Sequence, residues 1–217
     1  MAERQVHGLN FENWIRTTFT NNAHAGSMTE KWDIENPSWN TKAAKYVSAF
    51  RALPVSIKTC KYGMPINFGD ALRQFKNTND FLLIVGFWIR AGNKKKFVSV
   101  KAVSITSKSW RQLFAQVVTP EELKKDRLSS EQIERKIKKL DSTIKNTANY
   151  KEARIKAQEE KKALPQMEIV LNPKIDSKNQ RRLQCSLPFQ IFWTKFASEP
   201  SFRHEKCAFW GEDVPSL

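Results

Sequence analysis

Apolar residues in the first part of the chain recur at helical spacing and then, further on, at every second position. Phe11, Trp14, Ile15, Thr18 and Phe19 of LNFENWIRTTF fall three or four apart, with Asn10 placed to cap them, so a first helix is expected over 9–19. The polar loop NNAHAGS follows, and TEKWDIENP predicts a short strand closed by Pro37. Ala43, Val47 and Phe50 restore helical spacing over 39–52. In LPVSIKTC the period becomes two: on a strand at 54–60, Val55 and Ile57 point to one face, Ser56 and Lys58 to the other. The turn KYGMP leads to a helix expected at 67–77, NFGDALRQFKN. FLLIVGFWI at 81–89 is a continuous apolar run between Asp80 and AGNKKK, the pattern of a strand buried on both faces. FVSVKAVSI at 97–105 alternates over its first half, so a hairpin across AGNKKK is expected.

From 107 to 164 the chain turns helical and highly charged. Ile133, Ile137, Leu140 and Ile144 keep a four-three spacing that decays at Lys145-Asn-Thr-Ala-Asn149, where NTAN offers the turn of a helical hairpin or bent arm. Its flanks KKDR, ERKIKK and EEKK mix both signs, which suits a solvated surface, and suits equally an arm along a phosphate backbone or against a second subunit. After Pro165, MEIVLNPKI predicts a strand, and SKNQRRLQCSLPFQIFWTKF runs from a basic loop through a short strand into an aromatic helix. The fold class is therefore mixed α/β (α+β), expected as a single domain over 1–217. Residues 1–106 form its first half, 107–164 a helical arm, and 165–217 a strand and helix that rejoin the core.

Charge narrows the choice of partner. Lys and Arg number 37 against 22 Asp and Glu, a net charge of +15 spread along the whole length of 217 residues, which points to a polyanion and first of all to nucleic acid. No apolar run reaches the ~18 residues of a membrane span. MAERQVHGLNFENW lacks an apolar signal core, so a cytoplasmic, intracellular chain with no membrane partner is expected. Cys60, Cys185 and Cys207 are odd in number and far apart, and with His7, His24 and His204 they make neither a disulfide framework nor a zinc spacing. Trp14, Trp32, Trp39, Trp88, Trp110, Trp193 and Trp210 are dispersed within apolar patterns and are assigned to core packing ahead of base stacking.

One lysine stands out because of its setting. Lys58 lies inside an apolar strand and shares a face with Ser56; a solvated edge strand is the plain explanation. The sharper one is chemical. Hydrolysing a phosphodiester needs an activated water, a divalent cation against the developing charge and a proton route for the leaving oxygen. Mg²⁺ takes one or two carboxylates and keeps several waters. Adjacent strands can present this set, one ending in Asp and the next carrying a ligand and a lysine two residues apart. Asp33 in the first strand and Ser56-Ile57-Lys58 in the second supply it. Glu35 shares a strand face with Asp33 and is the alternative first ligand, although it adjoins Asn36-Pro37, where the strand should end.

The order helix with an acidic residue, strand with Asp, strand with x-x-Lys, then helix resembles the PD-(D/E)XK nuclease superfamily, particularly its type II restriction endonucleases, over residues 8–106. Trp32 stands at the family's proline and Ser56 at its acidic position two before the lysine. In a branch with S-x-K the carboxylate comes from the following helix, which implies Asp70, twelve positions past Lys58, as the second metal ligand; a helix-dipole partner is its alternative. The resemblance further implies a restriction-endonuclease-like central sheet flanked by helices, Mg²⁺ as cofactor, double-stranded DNA as substrate, Lys58 positioning the water, and Glu12 of the first helix assisting.

Recognition of DNA would need donors aimed at base edges. Lys178, Asn179, Gln180, Arg181, Arg182 and Gln184 concentrate them in one loop and strand, and Arg73 and Gln74 follow Asp70 by one helical turn; an exposed basic turn is the simpler account of the first group. Lys94, Lys95 and Lys96 are expected in a hairpin turn as non-specific phosphate contacts or plain solvated charge. Palindromic sites mirror two-fold symmetry, so a homodimer is expected, with 129–164 as a candidate contact. A non-catalytic nucleic-acid-binding module and a structure-specific repair nuclease are the competing functions.

Overall fold

In the computed structural model, which describes residues 3–21, 32–92, 94–117, 128–176, 180–198 and 207–216, the chain has the mixed α/β character expected of it. It divides into two compact units, neither continuous in sequence. The first takes the residues up to Met64, Asn79–Thr106 and those from Phe192 on; the second takes Pro65–Thr78 and Ser107–Ile191.

In the first unit β1 (Val55–Lys61) runs parallel to β3 (Phe81–Ala91), which pairs antiparallel with β4 (Lys94–Ile105), in the order β1-β3-β4. The central place of β3 is why its run is continuously apolar: every residue from Phe81 to Phe87 is buried. The helix α1 (Glu3–Phe19) lays Phe11, Ile15 and Phe19 in one cluster with Val55, Ile57, Leu82, Ile84 and Phe97. Burial of each such side chain contributes about 1.5–3 kcal/mol, and this cluster positions α1 against the sheet. Gly86 permits the approach, since a Cβ there would lie 2.6 Å from Phe97 Cε1 and 2.9 Å from Phe11 Cζ. The hairpin is tighter than the sequence suggests: Ala91 pairs with Lys94 across Gly92, whose φ is 59°. Lys94, Lys95 and Lys96 therefore lie on β4 itself, and Lys95 Nζ sits 4.8 Å from the ring centroid of Trp88.

Two expectations for this unit are corrected. The strand at 29–37 reduces, within the described residues, to one antiparallel bridge between Ile34 and Val55; the turn at Asn36-Pro37 ends pairing because proline has no N–H to donate. The helix at 39–52 is instead α2 (Thr41–Ala44), capped by Asn40, and a 3₁₀ turn, Ser48–Phe50. Ala43 and Val47 are both fully buried, so successive turns keep the one-sided spacing that a continuous helix would also produce.

In the second unit β2 (Ile66–Asp70), β6 (Arg181–Leu187) and β5 (Val170–Ile175) pair antiparallel in the order β2-β6-β5. Here the helix expected at 67–77 is corrected: only α3 (Ala71–Phe75) is helical. Gly69 has φ 78° beside a bulge in the β2–β6 ladder, a backbone no helix contains. The strand owes its existence to a partner more than a hundred residues away, which local spacing does not encode. After α4 (Ser107–Gln112), α5 (Ser130–Asn146) buries Ile133, Ile137, Leu140 and Ile144 as their spacing requires, and Ser129 with Gln132 closes a capping box. Asn149 caps α6 (Tyr150–Lys162). Lys139 pairs with Glu160 at 2.7 Å and Lys136 Nζ donates to Ala163 O at 2.9 Å, the register of an antiparallel helical hairpin. The aromatic helix α7 (Phe189–Lys195) follows β6, and the short hairpin β7 (Ala208–Phe209) with β8 (Glu212–Asp213) ends the described chain. Trp32, Trp110 and Trp193 are buried, and Trp14, Trp39, Trp88 and Trp210 pack against the core of the first unit. No helix among the described residues is long and apolar enough to cross a membrane.

Candidate active site

Asp33 is brought beside β1 by the Ile34–Val55 bridge, in which Ile34 N donates to Val55 O at 3.1 Å and Val55 N to Ile34 O at 2.7 Å. Its Oδ2 then gathers three donors: Lys58 Nζ at 2.7 Å, Ile57 N at 2.5 Å and Ser56 Oγ at 3.3 Å. Among the described residues no donor reaches Oδ1. The side chains of Lys58 and Asp33 are 23% and 24% exposed, so the pair is screened by protein but open on one side. Lys58 Nζ also donates to Ile57 O at 3.0 Å. An ammonium has three protons, and among the described residues two of these are used.

Glu12 comes to the same place from α1, on the turn that carries Phe11 and Ile15 into the core. Its Oε1 accepts from both Arg16 Nη2 at 2.9 Å and Arg16 Nε at 3.1 Å, and Arg16 is 4% exposed. Burial pushes the Glu12 carboxyl above the ordinary carboxylate range and the negative charge of Asp33 pushes it further, against the pull of Arg16 and Lys58. Glu12, Asp33 and Lys58 thus act on one another electrostatically. Arg16 was not anticipated; the signal was the Glu12–Arg16 spacing of four on a helix whose neighbouring positions, Phe11 and Ile15, turn inward.

Asp33, Ser56, Lys58 and Glu12 all belong to the first unit. Asp70 belongs to the second, where its Oδ1 accepts from Arg73 N at 2.7 Å and caps α3. Glu35 is exposed, beyond the bridge that holds Asp33, with no hydrogen bond or ion pair among the described residues. Gln74 Nε2 donates to Phe68 O at 3.2 Å, and Arg73 is exposed. In the basic segment, Lys178 and Asn179 lie outside the described residues. Gln180 and Arg182 are exposed. Arg181 turns its guanidinium to the carbonyls of Asp176 and Ala148. Gln184, expected among the base-reading groups, is instead 7% exposed on the central strand of its sheet, where Oε1 accepts from Asn67 Nδ2 at 3.3 Å. The thiols take no part: burial pushes Cys60 up to about 12 and Cys185 higher still.

Among the described residues no three His, Cys, Asp or Glu side chains converge into a metal-binding group. Two carboxylates, Glu12 and Asp33, interact electrostatically, each with one oxygen engaged and the other reached by no donor among the described residues. That donor set fits Mg²⁺, which is held by one or two protein carboxylates together with substrate phosphates and waters. Comparison with family models, curated proteins and solved structures finds no match to this chain.

Proposed function

We propose that the protein is a Mg²⁺-dependent endodeoxyribonuclease of the PD-(D/E)XK restriction type, acting on double-stranded DNA as a homodimer. The observation that supports this reading most is the convergence on Asp33 Oδ2 of Lys58, Ser56 and the Ile57 amide, with Glu12 within electrostatic reach. The outer oxygens of Glu12 and Asp33 would hold the cation, Glu12 taking the place that spacing had offered to Asp70. Bound there, a divalent ion supplies positive charge beside the scissile phosphate. Lys58 does the rest of the positioning. Its Nζ is anchored by Asp33 and the Ile57 carbonyl, so the third proton can hold a water for attack on phosphorus. As the new P–O bond forms the water loses a proton to solvent, the bond to the leaving oxygen breaks, and that oxygen takes up a proton. Ser56 fixes the Asp33 carboxylate, and Arg16 fixes that of Glu12.

Incubating supercoiled plasmid with the protein and Mg²⁺, then with EDTA, tests the reading. Discrete fragments that need Mg²⁺ are expected, and two copies on a palindromic site would yield the same fragments from every molecule. A gel shift without cleavage would replace the enzyme by a nucleic-acid-binding module. Nicks confined to mismatched or branched DNA would keep the site and replace the restriction role.

A further inference from the structure

In the second unit an open trough of about 350 Å³ runs between α6 and the edge strand β5, lined by Arg154, Gln158 and Lys161 on the helix and by Asn172, Pro173 and Lys174 on the strand. Its form follows from the sequence. Ala153 and Ala157, buried on α6, leave room beside them, and positions 154, 158 and 161 share one helix face. On the other wall, β5 pairs among the described residues with β6 alone, and Pro173 removes one N–H from the strand. Arg154, Lys161 and Lys174 are exposed and have no carboxylate partner among the described residues, whereas Lys139 and Lys156 nearby on the same hairpin each pair with a glutamate.

We infer that this trough is a binding site for the phosphodiester backbone of DNA, separate from the cleavage chemistry. Arg154 and Lys161 are seven residues apart, about 10 Å along the helix axis, a separation on the scale of neighbouring phosphates of a DNA backbone. The lining suits phosphate oxygens: three cations and the amide of Gln158, and no carboxylate. Donors of this kind position a duplex without reading its sequence. The inference rests on the proposed reading only in taking DNA as the ligand, and holds whether or not the chain cuts it.

The test is fluorescence anisotropy with a labelled 20-bp duplex across a salt series, comparing the full chain with the triple variant Arg154→Ala/Lys161→Ala/Lys174→Ala. A matched variant, Lys42→Ala/Lys138→Ala/Lys139→Ala, removes the same charge from lysines that pair with Glu212, Glu134 and Glu160. Losing three phosphate contacts should lower the slope of log K against log salt by about 2.7 and weaken binding at 0.1 M salt by up to about 500-fold, while the matched variant changes the slope by less than about one. Equal effects of the two variants, or no change of slope in the first, would overturn the inference. So would a loss of poly-glutamate binding with duplex binding intact, which would assign the trough to an acidic protein. Lys58→Ala separates this from the catalytic proposal, because it should slow cleavage by about 10²–10³-fold and leave the slope alone.

Discussion

Replacing Lys58 by alanine removes one ammonium that is bonded to Asp33 Oδ2 at 2.7 Å and to Ile57 O at 3.0 Å. Hydrogen bonds to charged groups contribute about 1.5–3 kcal/mol when buried and exposed ion pairs about 0–1. With side chains 23% and 24% exposed, this pair falls between those limits. Asp33 also keeps its bonds from Ile57 N and Ser56 Oγ. The expected loss is therefore about 1–2 kcal/mol, or roughly 2–8 °C in Tm for a chain of this length. The chemical loss should be far larger. Deleting one preorganised donor from a site of developing charge costs about 10²–10³ in rate, and because Lys58 and Asp33 would act as a unit, Asp33→Ala and the double variant should fall to about the same residual rate. Thermal melting measures the stability loss, single-turnover cleavage of a saturating duplex the rate, and anisotropy the duplex affinity, which should change less than about threefold, since phosphate contacts elsewhere carry it. A folded Lys58→Ala protein that cleaves within tenfold of wild type would refute the assignment, and so would a double variant whose losses simply add.

The Glu12 carboxyl, raised by burial and by Asp33, should titrate lower in Asp33→Asn and lower again when Mg²⁺ is added, followed by ¹³C carboxyl shifts. Because its folded value lies above the ordinary 4.5, the folded state holds the proton more tightly, so wild type should lose stability relative to Glu12→Gln as pH rises from 4.5 through the raised value, measured by denaturant midpoints. Asp70→Asn keeps a good N-cap and should retain both stability and cleavage, whereas Asp70→Ala should lose about 1 kcal/mol from the start of α3; a cleavage loss above tenfold in Asp70→Asn would return Asp70 to the metal site. Gly86→Ala drives a methyl into Phe11 and Phe97 and should lower stability by about 1–3 kcal/mol, read as a Tm fall of several degrees; an unchanged Tm would refute the close approach.

Periodicity alone carried the α/β character, the buried strand at 81–89, the hairpin after it and the helical arm with its inward Ile133, Ile137, Leu140 and Ile144, because each is made by contacts near in sequence or by a one-sided apolar pattern. The pairing of Lys58 with Ser56 on one strand face was legible for the same reason, since period two is a local property of the backbone. What lay beyond it were the features that need a distant partner. β2 forms because 181–187 is there to receive it, Gln184 is buried because strands flank it on both sides, and Asp33 reaches Lys58 through a single bridge and not through a strand. The contact of Glu12 with Asp33 is of that kind too: the packing of α1 on the sheet brings Glu12, held by Arg16, within reach of the charge on Asp33. Spacing along a chain specifies direction within one element; distance between elements is a property of the core that packs them.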